Sequence, residues 1–290
     1  MSATSAAQQD GPLAIVCGGG SLPLKVADIV TARGRQVLLF PLQGIAKPED
    51  YAGRPHTWVQ IAKGGLFART ARAAGCRDIV LIGSVVRPSI WQVRFDWLTI
   101  KLLPRVVAAY RGGDDHLLSN IAKIIEEHGF RLVGAHEVAP EILMPGGTIG
   151  HVQPNDRDRA DIACGLDYLH ATGSFDVGQA VVVAGRHVLA VEAAEGTDAM
   201  VRRVAEMRAS GRVRSPLGTG VLVKAPKRGQ DRRIDMPAIG PQTVEGVARA
   251  GLAGIAVEAG GAIVAEPERL VEAADRANIF VVGVPAARGS

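Results

Sequence analysis

Aromatic side chains are scarce: three Trp, three Tyr and six Phe make up 4% of 290 residues. Stacking platforms for single-stranded nucleic acid are built from such rings, so no nucleic-acid partner is expected. Cysteine is scarcer still. Cys17, Cys76 and Cys164 stand far apart without a C-x-x-C pair, which argues against a disulfide or zinc framework and fits a reducing compartment. No run of about 18 uncharged apolar residues is present, so no helix is expected to span a membrane. Residues 1–10 are small and polar and lack the apolar stretch of a secretory signal. These absences together predict a cytosolic chain, at most peripheral to a membrane.

What is plentiful is glycine, 35 residues, set beside short apolar runs in a chain that is 47% hydrophobic. That composition belongs to an α/β protein with ample core for one large domain or two ordinary ones. A net charge of +4 and a pI of about 9.1 favour anionic ligands or an anionic surface.

Leu13–Val16 reads as a strand running into Gly18-Gly19-Gly20-Ser21-Leu22-Pro23 and then a helix to Arg33. Strand, glycine turn and helix is the arrangement that points backbone N–H groups at a phosphate, which makes Gly19 and Gly20 candidate ligand contacts. A dinucleotide fingerprint wants a third glycine inside the helix and an acid after the second strand. Pro23 occupies the first place, and the second strand (36–40) meets no acid before Glu49. A nicotinamide-dependent oxidoreductase is therefore disfavoured. A strand at 78–82 opens into Gly83-Ser84-Val85-Val86-Arg87. Strand–helix alternation predicts a parallel sheet with ligands outside the carboxyl ends of its strands, so Ser84 and Arg87 join the candidates. An apolar stripe from Trp91 to Leu103, interleaved with cations, reads either as a core-facing amphipathic helix or as a surface for acyl chains or a bilayer.

His136 and Glu137 follow the strand 131–133 and could serve as acid and base, although a single histidine is more often structural. Residues 140–154 carry three prolines and three glycines, which places a domain boundary there. The expected division is a Rossmann-like N-terminal domain (1–138), a linker (139–156) and a distinct C-terminal α/β domain (157–290). In the second half, a helix at 157–172 leads through Gln179 into a hairpin, 180–183 and 187–192. Glu192, Glu195 and Asp198 then lie close enough in sequence to face one site. Carboxylates at a strand end suit Mg²⁺, while Thr197 or Asp198 alone could cap the next helix.

The most charged loop runs from Leu222 to Gly240. Lys224, Lys227, Arg228, Arg232 and Arg233 surround Asp231 and Asp235 there. Cations around a carboxylate suit a bound polyphosphate; a solvated surface loop is the competing reading.

Gly18-Gly-Gly-Ser-Leu-Pro23, Gly134-Ala-His-Glu137, Ala193-Ala-Glu-Gly-Thr-Asp-Ala-Met200, Lys224 to Gly240 and Ala250-Gly-Leu-Ala-Gly254 together resemble the LpxI family of UDP-2,3-diacylglucosamine pyrophosphatases of lipid A biosynthesis. The resemblance covers nearly the whole chain. It implies a two-domain cytoplasmic hydrolase that splits UDP-2,3-diacylglucosamine into UMP and 2,3-diacylglucosamine 1-phosphate (lipid X). Water would attack the β-phosphorus with the help of a divalent cation, typically Mg²⁺. The family's catalytic aspartate falls on Asp235, with Asp231 expected to be a bystander. The remaining expectations combine the residues with this resemblance. Lys224, Lys227 and Arg233 would hold phosphates, Gln179 and Thr197 other parts of the substrate, and Gly19, Gly20, Ser84 and Arg87 the nucleotide. Asp235, Glu192, Glu195 and Asp198 would take the metal. Peripheral contact with the inner membrane and a homodimer are compatible with this reading. A non-catalytic nucleotide-sugar or lipid-binding module is the alternative.

Overall fold

The computed structural model describes residues 11–61, 63–85, 114–173, 175, 177–227 and 230–286. Arg87 and the Trp91–Leu103 stripe lie outside the described residues, as does Arg228.

The first unit extends to Pro140 and also takes in Asp231–Asp235 from far along the chain. Its sheet contains β1 (Leu13–Cys17), β2 (Val37–Pro41), β3 (Asp78–Ile82) and β4 (Arg131–Leu132) in the order β2-β1-β3-β4, all parallel. Near-continuous apolar runs such as Leu13–Cys17 are what strands covered on both faces require. Among the described residues its α-helices are α1 (Leu22–Ala32), α2 (Gly64–Ala73), α3 (Asp114–Glu127) and the single turn α4 (Ala135–Val138). Phe40, Ile79, Ala71 and Phe130 fill one core cluster, with Phe67 packed edge-on to Phe40 at 4.8 Å between ring centres. At the amino-terminal edge of the sheet, burial pushes the Asp78 carboxyl up, but Arg131 and Arg35 outweigh burial and hold it below the usual range. Arg131 Nε and Arg35 Nη2 donate to its two oxygens at 2.7 and 2.6 Å. The opposite edge is thereby left to the loops that follow β1, β3 and β4. With strand order 2-1-3-4, the chain reverses its winding between β1 and β3, the place in open α/β sheets where ligands bind at the carboxyl ends of the strands.

The second unit spans Glu141–Gln230 and Met236 onward. Its six-stranded sheet has β5 (Gly147–Ile149), β12 (Phe280–Val284), β10 (Gly254–Glu258), β8 (Val221–Lys224), β6 (Ala180–Ala184) and β7 (His187–Val191) in that order. β12, β10 and β8 run parallel, whereas β5, β6 and β7 pair antiparallel with their neighbours. Side chains alternate between two cores, as a period of two dictates. Val182, Leu222, Ile255 and Val281 face α6 (Thr197–Ala209), α7 (Pro241–Arg249) and α8 (Pro267–Ala277), while Val181, Val223, Ala256 and Phe280 face α5 (Asp156–Thr172). A short parallel pair, β9 (Ala238–Ile239) with β11 (Ile263–Val264), stands apart from this sheet.

The stretch 139–156, expected to be a linker, is ordered structure in the second unit from Glu141 onward. Met144 N donates to Ala262 O at 2.8 Å, β5 adds an edge strand to β12, and Asn155 caps α5 through its side-chain oxygen. Its prolines and glycines shape an edge strand and a helix entry, features that composition alone does not separate from a tether.

Candidate functional site

Each unit carries its own constellation. In the first, the glycine turn after β1 lies against the loop after β3. Gly18 N donates to Ile82 O, Gly19 N to Ser84 O at 2.8 Å, and Ser84 N returns to Gly19 O at 2.9 Å. A Cβ on Gly18 would stand 2.6 Å from Ser84 O, and one on Gly19 would stand 2.8 Å from Ser84 Oγ. Gly18 is therefore demanded by close backbone approach, whereas the near neighbour of Gly19 is a serine hydroxyl, and the Gly19 N–H is already spent on Ser84. Gly20, at φ 92°, meets no such obstruction. Gly19 and Ser84 are bridged at the carboxyl ends of β1 and β3, with Gly20 next in the chain.

Asp231–Asp235 forms a compact turn in the same unit, with the N–H groups of Ile234 and Asp235 both donating to Asp231 O at 3.0 Å. Asp231 is the hub of this turn. Its carboxylate accepts from Arg233 N and from a two-pronged guanidinium, Nε at 2.9 Å and Nη2 at 2.7 Å. Arg233 Nη1 also reaches Glu126 on α3 at 2.8 Å. The Arg233 bonds hold the Asp231 carboxyl below its usual range, and the two carboxylates raise the guanidinium's basicity. Arg233, expected at a phosphate, pairs with Asp231 and Glu126 on the turn that carries Asp235. Fork-on-carboxylate pairing at i, i+2 needs a turn to bring the groups together, so nothing in the linear pattern singled it out.

In the second unit, the carboxyl end of β8 carries Lys224, which is 6% exposed. A buried ammonium is costly without partners, and it has them. Lys224 Nζ donates to Thr197 Oγ1 at 2.9 Å and to Ala238 O at 3.2 Å. Thr197 Oγ1 in turn donates to Glu192 Oε1 at 2.7 Å, while Glu192 Oε2 accepts from Gln179 N at 2.8 Å. Gln179, Glu192, Thr197 and Lys224 thus form one polarised relay from carboxylate to ammonium. Gly178 lies where any Cβ would overlap the Glu192 side chain, so the glycine before Gln179 makes room for the relay. Lys227 continues the loop, its N–H meeting Gln230 Oε1 at 3.1 Å.

Asp235, expected to share a metal with Glu192, Glu195 and Asp198, belongs to the first unit and those three to the second. Among the described residues, no group of three or more His, Cys, Asp or Glu is placed to hold an ion. Both Glu192 oxygens are committed to the relay, and Glu195 pairs with Arg203 at 3.0 Å. Asp198 is an exposed acid in the first turn of α6, where the helix dipole accounts for it. Thr197 does not cap α6: the N-cap is Gly196, without a side-chain bond. Within the second unit, Glu192, Glu195 and Asp198 are engaged separately and are not gathered around one point. Local spacing placed these three together, but one hydroxyl and one guanidinium claimed two of them first.

Comparison with known proteins covers both units. Residues 12–142 match the family model described as LpxI N-terminal domain, and residues 145–282 that described as LpxI C-terminal domain. The chain is 42% identical, over 274 residues, to the UDP-2,3-diacylglucosamine pyrophosphatase LpxI of Caulobacter vibrioides, covering 94% of this chain and 97% of that one. Among solved structures, UDP-glucose 4-epimerase from Thermus thermophilus in complex with NAD shares 16% identity at a TM-score of 0.30, covering 96% of this chain and 88% of that one. At that score nothing is argued from it.

Proposed function

The chain belongs to the LpxI family, and from that membership we propose that it hydrolyses the pyrophosphate of UDP-2,3-diacylglucosamine to UMP and lipid X. The observation that carries the reading is the match of both family models and of a 42% identical pyrophosphatase across nearly the whole chain. Water attacks the β-phosphorus in this proposal. Hydrolysis of a diphosphate requires positioned cations to offset charge and a group to orient water. Asp235 orients the water, and the turn anchored by Asp231 and Arg233 fixes its backbone. Lys224 and Lys227 hold phosphate oxygens, with the relay through Thr197 to Glu192 keeping the Lys224 ammonium in register. Gln179 and Thr197 line the same neighbourhood, while Gly20, Ser84 and Arg87 take the nucleotide.

Mg²⁺ or another divalent cation enters the proposal as a companion of the substrate's own diphosphate, with Asp235 as its protein ligand, where it would offset phosphate charge. Residence in the cytoplasm, with peripheral contact at the inner membrane that supplies a two-chain lipid, belongs to the same proposal. No helix among the described residues is long and apolar enough to cross a membrane. The test is UMP release from UDP-2,3-diacylglucosamine by the wild type and by Asp235→Ala. A fall of about 10³-fold or more is expected for the variant, with its melting temperature kept. Binding of the substrate without any UMP would establish the non-catalytic alternative instead.

A further inference from the structure

His136 sits at the carboxyl end of β4, on the sheet edge shared by the glycine turn and the Gly83–Ser84 loop, and no role has yet been given to it. Its ring is pressed against Gly134: a Cβ on that glycine would overlap both Cε1 and Nδ1. Nδ1 is sealed from solvent and meets no hydrogen-bond partner among the described residues. Glu137, the adjacent acid, is not an orienter for the ring, because its Oε1 accepts from Gly134 N at 2.8 Å. The backbone turn itself is pinned from the C-cap of α1, where Arg33 donates to Val138 O at 2.8 Å. The charged groups facing the imidazole are Arg232 and Asp231, from the turn that carries Asp235, and Glu137.

The proton inventory follows from these contacts. An imidazolium needs acceptors for two N–H groups, and a proton on Nδ1 would be a buried donor with nothing to meet. Burial and the Arg232 charge both disfavour the cation and pull the group below its ordinary range. Asp231 and Glu137 act in the opposite sense, but the first is bonded to Arg233 and the second to Gly134. The ring is left neutral, with its proton on Nε2 and not on the sealed Nδ1.

We propose that His136 is an uncharged hydrogen-bond donor, through Nε2–H, to a phosphate oxygen of the diphosphate handled by the Asp235 turn. The inference rests on the hydrolase reading above. A neutral donor suits an oxygen that gains charge only as the bridging bond breaks, since it adds no standing cation beside Arg232. It acts as an electrostatic and positioning group, not as a base.

Two measurements test it. Nitrogen-15 NMR of the full chain without substrate, assigned by difference from His136→Gln, should show a neutral Nε2–H tautomer at pH 7. The signal should move when inorganic pyrophosphate is added. In kinetics with UDP-2,3-diacylglucosamine, His136→Ala should lose about 10²-fold in kcat/KM, chiefly in kcat. His136→Gln, which keeps an N–H donor, should recover most of that loss. An Nδ1–H or imidazolium form at pH 7, a glutamine variant as impaired as the alanine one, or a pyrophosphate-insensitive signal would each overturn the inference. Absence of turnover by the wild type would overturn the hydrolase reading, and the kinetic part of this one with it; the tautomer result stands independently.

Discussion

Asp231 shows how one carboxylate sets the shape of the turn that carries Asp235. It takes backbone and guanidinium donors from Arg233 while its carbonyl holds the N–H of Asp235. Its folded-state pKa, like that of Asp78, is lowered. A lowered carboxylate contributes stability that is present above its unfolded value, about 4, and lost as pH falls through the folded value. Melting temperature measured from pH 7 down to pH 2 should therefore fall steeply below about pH 4. Asp78→Asn and Asp231→Asn should each flatten that fall. Thr197 makes the second residue-scale case. Thr197→Val keeps the shape but breaks the hydroxyl that joins Lys224 to Glu192, leaving a buried ammonium and a carboxylate short of partners. A loss of about 1–3 kcal/mol in urea unfolding is expected, together with a raised KM if Lys224 holds a phosphate. Unchanged stability would show that the relay contributes nothing.

At the scale of elements, the strands were legible because apolar runs such as Leu13–Cys17 and Asp78–Ile82 end in glycine, and periodicity marks both strand and stop. The hairpin between β6 and β7 was equally plain: Gly185 and Arg186 both adopt positive φ, the requirement of a two-residue turn. The edge strand β5 was not legible, since three residues between prolines and glycines carry no period to read. Nor were the Asp231–Arg233 clasp, the Glu192–Thr197–Lys224 relay and the packing of His136 on Gly134, all of which arise from directions that side chains acquire only after folding. The glycine turn lies between these cases. Its presence pointed to a ligand, yet Gly18 is required by the carbonyl of Ser84 before any ligand arrives. Gly18→Ala should cost about 1–3 kcal/mol through overpacking, read as a lower melting temperature. A neutral effect would mean that the loop after β3 can move away.

For the whole molecule, the sequence pointed to two domains with a boundary after residue 138, and the contacts divide the chain at Pro140. What linear reading had no means to supply is that Asp231–Asp235 groups with the first unit although it is flanked by residues of the second. The candidate catalytic aspartate is therefore carried on a turn that the first unit anchors through Glu126 and Leu132. The account stands or falls on the reaction assigned to that turn. Incubation with UDP-2,3-diacylglucosamine and Mg²⁺ in ¹⁸O-water, followed by mass spectrometry of both products, should yield UMP without label and lipid X with one labelled phosphate oxygen. Label in UMP would contradict attack at the β-phosphorus, and the absence of either product would contradict the hydrolase itself.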